Sequence, residues 1–460
     1  MSMVWLDVTS ILIWMRPAVG VIRTEAEFAD YIISSNNESF SFCQFDGVSG
    51  FNEVPREAVC AALDRINTKV SITTLYPALT NFPLTAEDKA KKKILDLISL
   101  LPINFQPSVI GFILRHIKLL KVILAKLLKI RFCTFRLIQK YFAKLAKLQF
   151  ETKADAVDIP FRKGDVYLSM GADWNHGDLS YLYSLKSQIG FKAVLFCYDI
   201  IPIKLPHLTL DWVAERFVRY FCNLAWIADE ILCISECSRR DLDGFLNEIG
   251  APVPLMSVVK LGCQLPTMAE ITVSAEVQQV LQQRYILFVS TIERRKNHEV
   301  LYRAYARLVE QGHNDLPLLV FVGMPGWGVN DFLADLHYDP RITGRIKVLN
   351  HIADPELRLL YSHAYFTVFP SLYEGWGLPV AESLAAGKFC LASDSASIPE
   401  IGGELVEYID PWDINKWTSR LLWYFNNPDE VLKRENLIKS SYRPTTWSDT
   451  SLEILNALKL

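Results

Sequence analysis

Residues 366–387 read FTVFPSLYEGWGLPVAESLAAG, and the fold turns on this stretch. Phe366 to Phe369 form a short apolar run, aromatic and β-branched, of the kind that makes a buried strand. Pro370 closes it, and a loop follows with Ser371, Tyr373, Glu374, Gly375 and Gly377. Pro379 suits the first turn of a helix and Gly387 its end, so a helix is expected between them. In such a strand–turn–helix unit, backbone N–H groups around Gly375, Gly377 and Leu378 can approach an anion, and the helix N-terminus adds positive potential. That is a place for a phosphate. Glu374 and Glu382 can face the same crevice, where carboxylates suit sugar hydroxyls better than a phosphate.

The same unit recurs on either side. Apolar runs predict strands at 285–290, 318–322, 346–349 and 389–392 in the second half of the chain, with helices over 299–311 and 355–363. In the first half strands are expected at 3–6, 39–45, 166–169, 192–198 and 230–234, with a short one near 258–261. Two β/α series argue for an α/β protein with two lobes of similar size, linked through the polar stretch 265–275.

The strand at 285–290 leads into a second informative stretch, YILFVSTIERRKN (285–297). Arg294, Arg295 and Lys296 stand at its carboxyl end. Adjacent cations there can clamp a diphosphate and offset charge on a leaving nucleotide. Alone such a cluster is usually a solvated loop; paired with the glycine-bearing turn in the same lobe, it predicts a nucleotide-diphosphate site.

Composition fits an ordinary globular protein. The 460 residues are 50% apolar and 22% charged, with a net charge of −3, which argues against a nucleic-acid binder. Nine cysteines, an odd number without metal or redox spacing, read as buried free thiols. No arrangement of His, Cys or acids makes a metal site; Asp241-Leu-Asp243 reads as part of an exposed helix. The N-terminal stretch lacks a basic leader, and no run of apolar residues is long enough to span a bilayer, so a cytoplasmic location is expected.

Residues 89–149 break the rhythm with fourteen Lys/Arg against one acid, Asp96. On a helical wheel Arg115, Lys118, Lys126, Lys129, Arg136, Lys140, Lys144 and Lys147 fall within an arc of roughly 80° on an otherwise apolar surface. Helices over 109–150 lying on an anionic membrane fit this pattern. The competing reading is a helical insertion packed on the first lobe with its lysines solvated.

STIERRKN (290–297), ADPEL (353–357) and PSLYEGWGLPVAES (370–383), continued through 393–402, resemble in order and spacing the retaining glycosyltransferases of family 4. The resemblance is close over 285–415 and looser in the first half. It implies the GT-B fold, two Rossmann-like lobes with parallel sheets facing across a cleft: an acceptor-binding lobe over 1–270 with the basic insertion at 89–150, a donor-binding lobe over 271–435, and helices over 436–460 crossing back. It further implies that Glu374 contacts the transferred sugar and Glu382 the nucleotide ribose, and that Arg295 and Lys296 bind the diphosphate with the amides near Gly375, Gly377 and Leu378. MRPAVGVIRTE (15–25) looks like the family's glycine loop, with Gly20 and Arg23 as candidates. Asp199 would orient the acceptor or hold local structure. Tyr198 stands where many relatives carry His, and Thr291 where many carry Arg.

The implied activity is metal-independent hexosyl transfer without a cofactor. The donor is a nucleoside diphosphate sugar, GDP-mannose first, and the acceptor a lipid-linked glycan in surface-polysaccharide assembly at the inner face of the membrane. The alternatives are a sugar-nucleotide epimerase or hydrolase of the same architecture, and a membrane scaffold with a degenerate catalytic lobe. His176 is read as a loop residue near the cleft, and His351 as a neighbour of the donor base.

Overall fold

The computed structural model describes residues 2–15, 18, 20–47, 50–67, 159–264 and 273–459. The expected membrane-binding helices of 89–150 and most of the expected link at 265–275 lie outside the described residues. Two sheets organise the rest. The first contains β1 (Val4–Asp7), β2 (Phe40–Phe45), β3 (Phe51–Val54), β4 (Val166–Ser169), β5 (Lys192–Cys197), β6 (Glu230–Cys233) and β7 (Leu255–Val258), in the order β3-β2-β1-β4-β5-β6-β7. The second contains β8 (Tyr285–Val289), β9 (Leu318–Val322), β10 (Ile346–Leu349), β11 (Phe366–Phe369), β12 (Cys390–Ser393) and β13 (Glu407–Ile409), in the order β10-β9-β8-β11-β12-β13. Every pairing is parallel except β2 with β3.

Parallel sheets need cover on both faces, and the second sheet has it. On one side Phe288, Phe321 and Phe366 pack with Tyr305, Phe389, Trp417 and Tyr424; on the other Tyr285, Leu287 and Val320 pack with Leu360 and Tyr361. Each such side chain contributes about 1.5–3 kcal/mol of burial. The first lobe's core runs through Leu6, Phe28, Phe42, Leu168, Phe196 and Leu232.

Six helices pack around the site or join the lobes: α1 (Val21–Ser34), α2 (Glu236–Glu248), α3 (His298–Glu310), α4 (Asp354–His363), α5 (Leu378–Ala385) and α6 (Trp447–Ala457). Among the described residues no helix is long and apolar enough to cross a membrane. Three expectations need correction. β7 lies three residues before its expected position. β3 and β13 were not expected: β3 is an edge hairpin strand, FNEV, exposed in its middle, and β13 has only three residues. Finally, α5 begins at Leu378, capped by Gly377 at φ +124°.

The last helix, α6, belongs to the first lobe, where Trp447 and Ile454 join its core. The chain therefore crosses between lobes twice, and the crossings touch. Cys263 N–H donates to the Thr445 carbonyl at 3.0 Å, and Gly262 lies so close that a side chain there would start 2.8 Å from the Trp447 nitrogen.

Candidate active site

In an open α/β sheet a crevice forms beyond the strand carboxyl ends where strand order reverses. In the second sheet that point lies between β8 and β11, which pair through Phe366 with Ile286. The two informative loops, 290–297 and 370–377, leave those neighbouring strands. That adjacency, not sequence proximity, brings Arg295 and Lys296 against Glu374.

Glu374 is 7% exposed. Its Oε1 accepts from Lys296 Nζ at 2.6 Å and from the Ser371 hydroxyl, and its Oε2 meets Arg295 Nη1 at 2.8 Å. Burial works against its charged form, but Arg295, Lys296 and Ser371 outweigh burial and hold the carboxyl at about 2. Burial and the neighbouring Arg295 push the Lys296 ammonium below its ordinary range, with Glu374 opposing. Arg295 also bonds the Tyr373 carbonyl at 2.6 Å and Glu293 Oε1 at 2.7 Å. Arg294 and Thr291 are exposed to solvent.

Behind these groups the turn is fixed from several sides. Asn297, at φ +60°, donates to the carbonyls of Pro370 and Pro411, at 3.1 and 2.8 Å. Ser397 Oγ donates to the carbonyls of Glu374 and Trp376, and Ser393 Oγ to that of Ser371. With Leu372 N–H on the Arg295 carbonyl, both loops form one hydrogen-bonded body. Glu382, one turn into α5, accepts from the Tyr361 hydroxyl at 3.0 Å; burial raises its carboxyl, with Tyr361 and Arg23 opposing.

The first lobe closes directly on this turn. The Gly375 carbonyl accepts from Ser235 Oγ at 2.7 Å and Ser238 Oγ at 3.2 Å, and Ser238 Oγ also reaches the Tyr198 carbonyl. Tyr373 Oη donates to Asp241 Oδ2 at 2.6 Å, and Glu400 accepts the amides of Glu236 and Cys237 at the start of α2. Trp376 packs into the first lobe's core. Asp241 is thus an interface residue, which corrects its reading as part of an exposed helix.

Asp199 lies at this junction. Its Oδ1 accepts the Ile201 amide at 2.9 Å, while burial raises its carboxyl and Arg295 opposes. Tyr198 points away, its hydroxyl donating to the Met170 carbonyl at 2.7 Å inside the first lobe. Gly20 caps α1 at φ +52° with open space around it, and Arg23 reaches the Gln264 carbonyl at 3.3 Å. His351 is exposed at φ +57°.

The sequence reading missed a buried polar layer at the first sheet's own reversal point, between β1 and β4. Asp7 accepts from Thr9 and from the Tyr167 hydroxyl, Glu25 from the Ile11 amide, and His176 Nε2 lies 2.9 Å from Ser10 Oγ. Burial and the charge on Asp7 push Asp173 up to about 7. Thr9, Ser10, Asp173 and His176 follow the ends of β1 and β4, the one signal for them, and His176, expected in a loop, ends a short helix (Asp173–His176); Glu25, inside α1, gave none.

Residues 272–443 match the family model described as glycosyl transferases group 1. The O-antigen chain mannosyltransferase B of Escherichia coli is 29% identical over 236 residues, half of this chain and 60% of that protein. The serotype-specific mannosyltransferase WbdA of Escherichia coli is 28% identical over 240 residues, 49% of this chain and 29% of that protein. The matched region thus spans less than two thirds of either relative. Among solved structures, a sucrose-phosphate synthase from Thermosynechococcus elongatus superposes with TM-score 0.50 at 18% identity, covering 70% of this chain and 79% of that one. A trehalose-6-phosphate protein from E. coli, bound with UDP-2-fluoro glucose, does so with TM-score 0.50 at 14% identity, covering 65% and 74%. With two parallel-sheet α/β lobes meeting at their strand carboxyl ends, these likenesses identify the fold as GT-B.

Proposed function

We propose that the protein is a retaining, metal-independent glycosyltransferase of family 4. It moves a sugar, mannose first, from a nucleoside diphosphate sugar to a hydroxyl of a lipid-linked glycan in surface-polysaccharide synthesis. The observation that carries this is the convergence of Arg295, Lys296 and Glu374 at the β8/β11 reversal, beside the capped start of α5. The names of the two Escherichia coli relatives support mannose and a polysaccharide product.

In this reading the donor diphosphate lies against Arg295, Lys296 and the amides following Gly375 and Gly377, while Glu382 takes the ribose hydroxyls. Glu374, released from one of its cations, accepts hydrogen bonds from the transferred sugar. The acceptor hydroxyl attacks the anomeric carbon on the face the diphosphate leaves. The new C–O bond forms as the C–O bond to phosphate breaks, and the acceptor proton passes to the departing phosphate oxygen. Arg295 and Lys296 stabilise the charge growing there, and preorganisation supplies the rest. No cofactor is required. Residues 109–150 hold the enzyme on the anionic inner face of the cell membrane, where the acceptor resides.

The test is a thermal-shift panel of GDP-, UDP-, dTDP- and ADP-sugars on the wild type and on Glu382→Ala. A rise with one nucleotide family, reduced in the variant, supports the reading. No rise with any of them, in folded protein, turns it toward the scaffold alternative.

A further inference from the structure

The cluster at the β8/β11 reversal contains more carboxylate than cation. Glu293, 4% exposed, holds Arg295 Nη2 at 2.7 Å; Glu374 holds Arg295 Nη1 at 2.8 Å and Lys296 Nζ at 2.6 Å. Those four charges balance. Asp199 is a fifth, brought from the loop after β5. Its Oδ2 lies 3.1 Å from where a side chain on Gly375 would begin, and its Oδ1 is occupied by the Ile201 amide. The charged groups acting on it are Arg295 and Lys296 from the loop after β8 and Glu374 from the loop after β11; at the end of β5 the Cys197 thiol feels its charge. Of the other cations, Lys204 pairs with Asp241 and Arg23 with Glu27, while Arg294 is exposed to solvent.

With all five groups ionised, the site is one negative charge in excess before any ligand arrives. A nucleoside diphosphate sugar adds one charge on each phosphate, beside groups that are themselves largely buried, where unbalanced charge is costly. Something must neutralise it, and among the described residues of the cluster Asp199 is the carboxylate without a cation of its own. We propose that Asp199 takes up a proton from solvent when the donor diphosphate binds and returns it when the nucleotide leaves, so that it faces the donor as a neutral acid. This rests on the proposed donor site. Burial already favours the neutral form of Asp199, and Arg295 is the main group opposing it. A diphosphate on Arg295 and Lys296 weakens that opposition and adds like charge, so both effects favour protonation. The proton is distinct from the acceptor's, which leaves on the phosphate.

The linkage has a definite sign. The bound-state pKa of Asp199 lies above the free-state one, so donor affinity is highest at low pH. It falls by up to tenfold per pH unit between the two values and levels off above the bound one. Calorimetric titration of the full chain tests this with GDP-mannose, or with UDP-glucose if GDP-mannose gives no binding. The titration is run at about pH 7.5 in HEPES and in Tris, whose ionisation enthalpies differ widely, and repeated between about pH 6 and 8.5. The expected result is uptake of about 0.5–1 proton per donor in the wild type. Asp199→Asn should bind with no uptake and flat pH dependence, and at pH 8.5 about tenfold more tightly than the wild type. Donor binding without uptake anywhere in that range overturns the proposal, as does undiminished uptake in Asp199→Asn. Should the variant not fold, the wild-type buffer comparison decides alone. If no nucleotide sugar binds folded wild type, the donor-site reading falls and this proposal with it.

Discussion

Gly375→Ala should uncouple the lobes. A β-carbon on residue 375 would lie 2.5 Å from the Tyr198 carbonyl oxygen and 2.9 Å from Asp199 Cβ. The closest comfortable carbon–oxygen approach is about 3.3 Å, so a shift of about 0.8 Å is needed, and the obstacle is backbone. Moving the turn strains the two bonds from Ser235 and Ser238 to the Gly375 carbonyl. Overpacking costs about 1–3 kcal/mol and each weakened hydrogen bond up to about 1, so a loss of about 2–4 kcal/mol is expected. In a thermal melt of a chain this long that is a fall of about 2–4 °C. The proposed glycosyl transfer should fall by about a hundredfold, because Glu374 moves with the turn. Gly244→Ala is the control: Gly244 lies within α2 with nothing within 4 Å of the added carbon, so it should be neutral or stabilising by about 0.5–1 kcal/mol. Wild-type melting and turnover in Gly375→Ala would refute the contact between the turn and the Tyr198 backbone as the element that couples the lobes.

Lys296→Ala should cut turnover by about 10²–10³ if Lys296 offsets charge on the leaving diphosphate, measured with saturating donor. Asp173 is held at about 7 in the folded protein against an ordinary 3.8. Its contribution to stability is therefore full below about pH 4 and lost as pH rises through 7. Melts between pH 4 and 8 should show that decline, and Asp173→Asn should flatten it. Tyr373→Phe removes the hydroxyl that donates to Asp241 and leaves a mostly buried carboxylate with Lys204, so a loss of about 1 kcal/mol is expected in chemical denaturation.

The buried strands of the second sheet were legible because strands covered on both faces are uninterrupted apolar runs, as in LLVFV for β9. β3 escaped because an edge strand with Asn52 and Glu53 in its centre carries no such run, and β13 because three residues hold no pattern. Within the site, the loops that carry Arg295, Lys296 and Glu374 could be read from strand–loop–helix grammar and motif spacing. Their partners could not. Asp241 meets Tyr373 across 132 positions and Glu400 meets Cys237 across 163, between lobes whose docking no local pattern encodes. Glu293, two residues from Arg295, was within reach, but a lone acid beside three cations reads as surface.

The paired crossings at Cys263 and Thr445 constrain how the protein can move. A single tether between lobes allows both swing and twist. Two tethers bonded side by side resist twist more than either alone. Trp376 and Tyr373 must withdraw from the first lobe on any such swing, and they are neighbours of Glu374. Opening the lobes and drawing Asp199 away from Arg295, Lys296 and Glu374 are therefore one mechanical event.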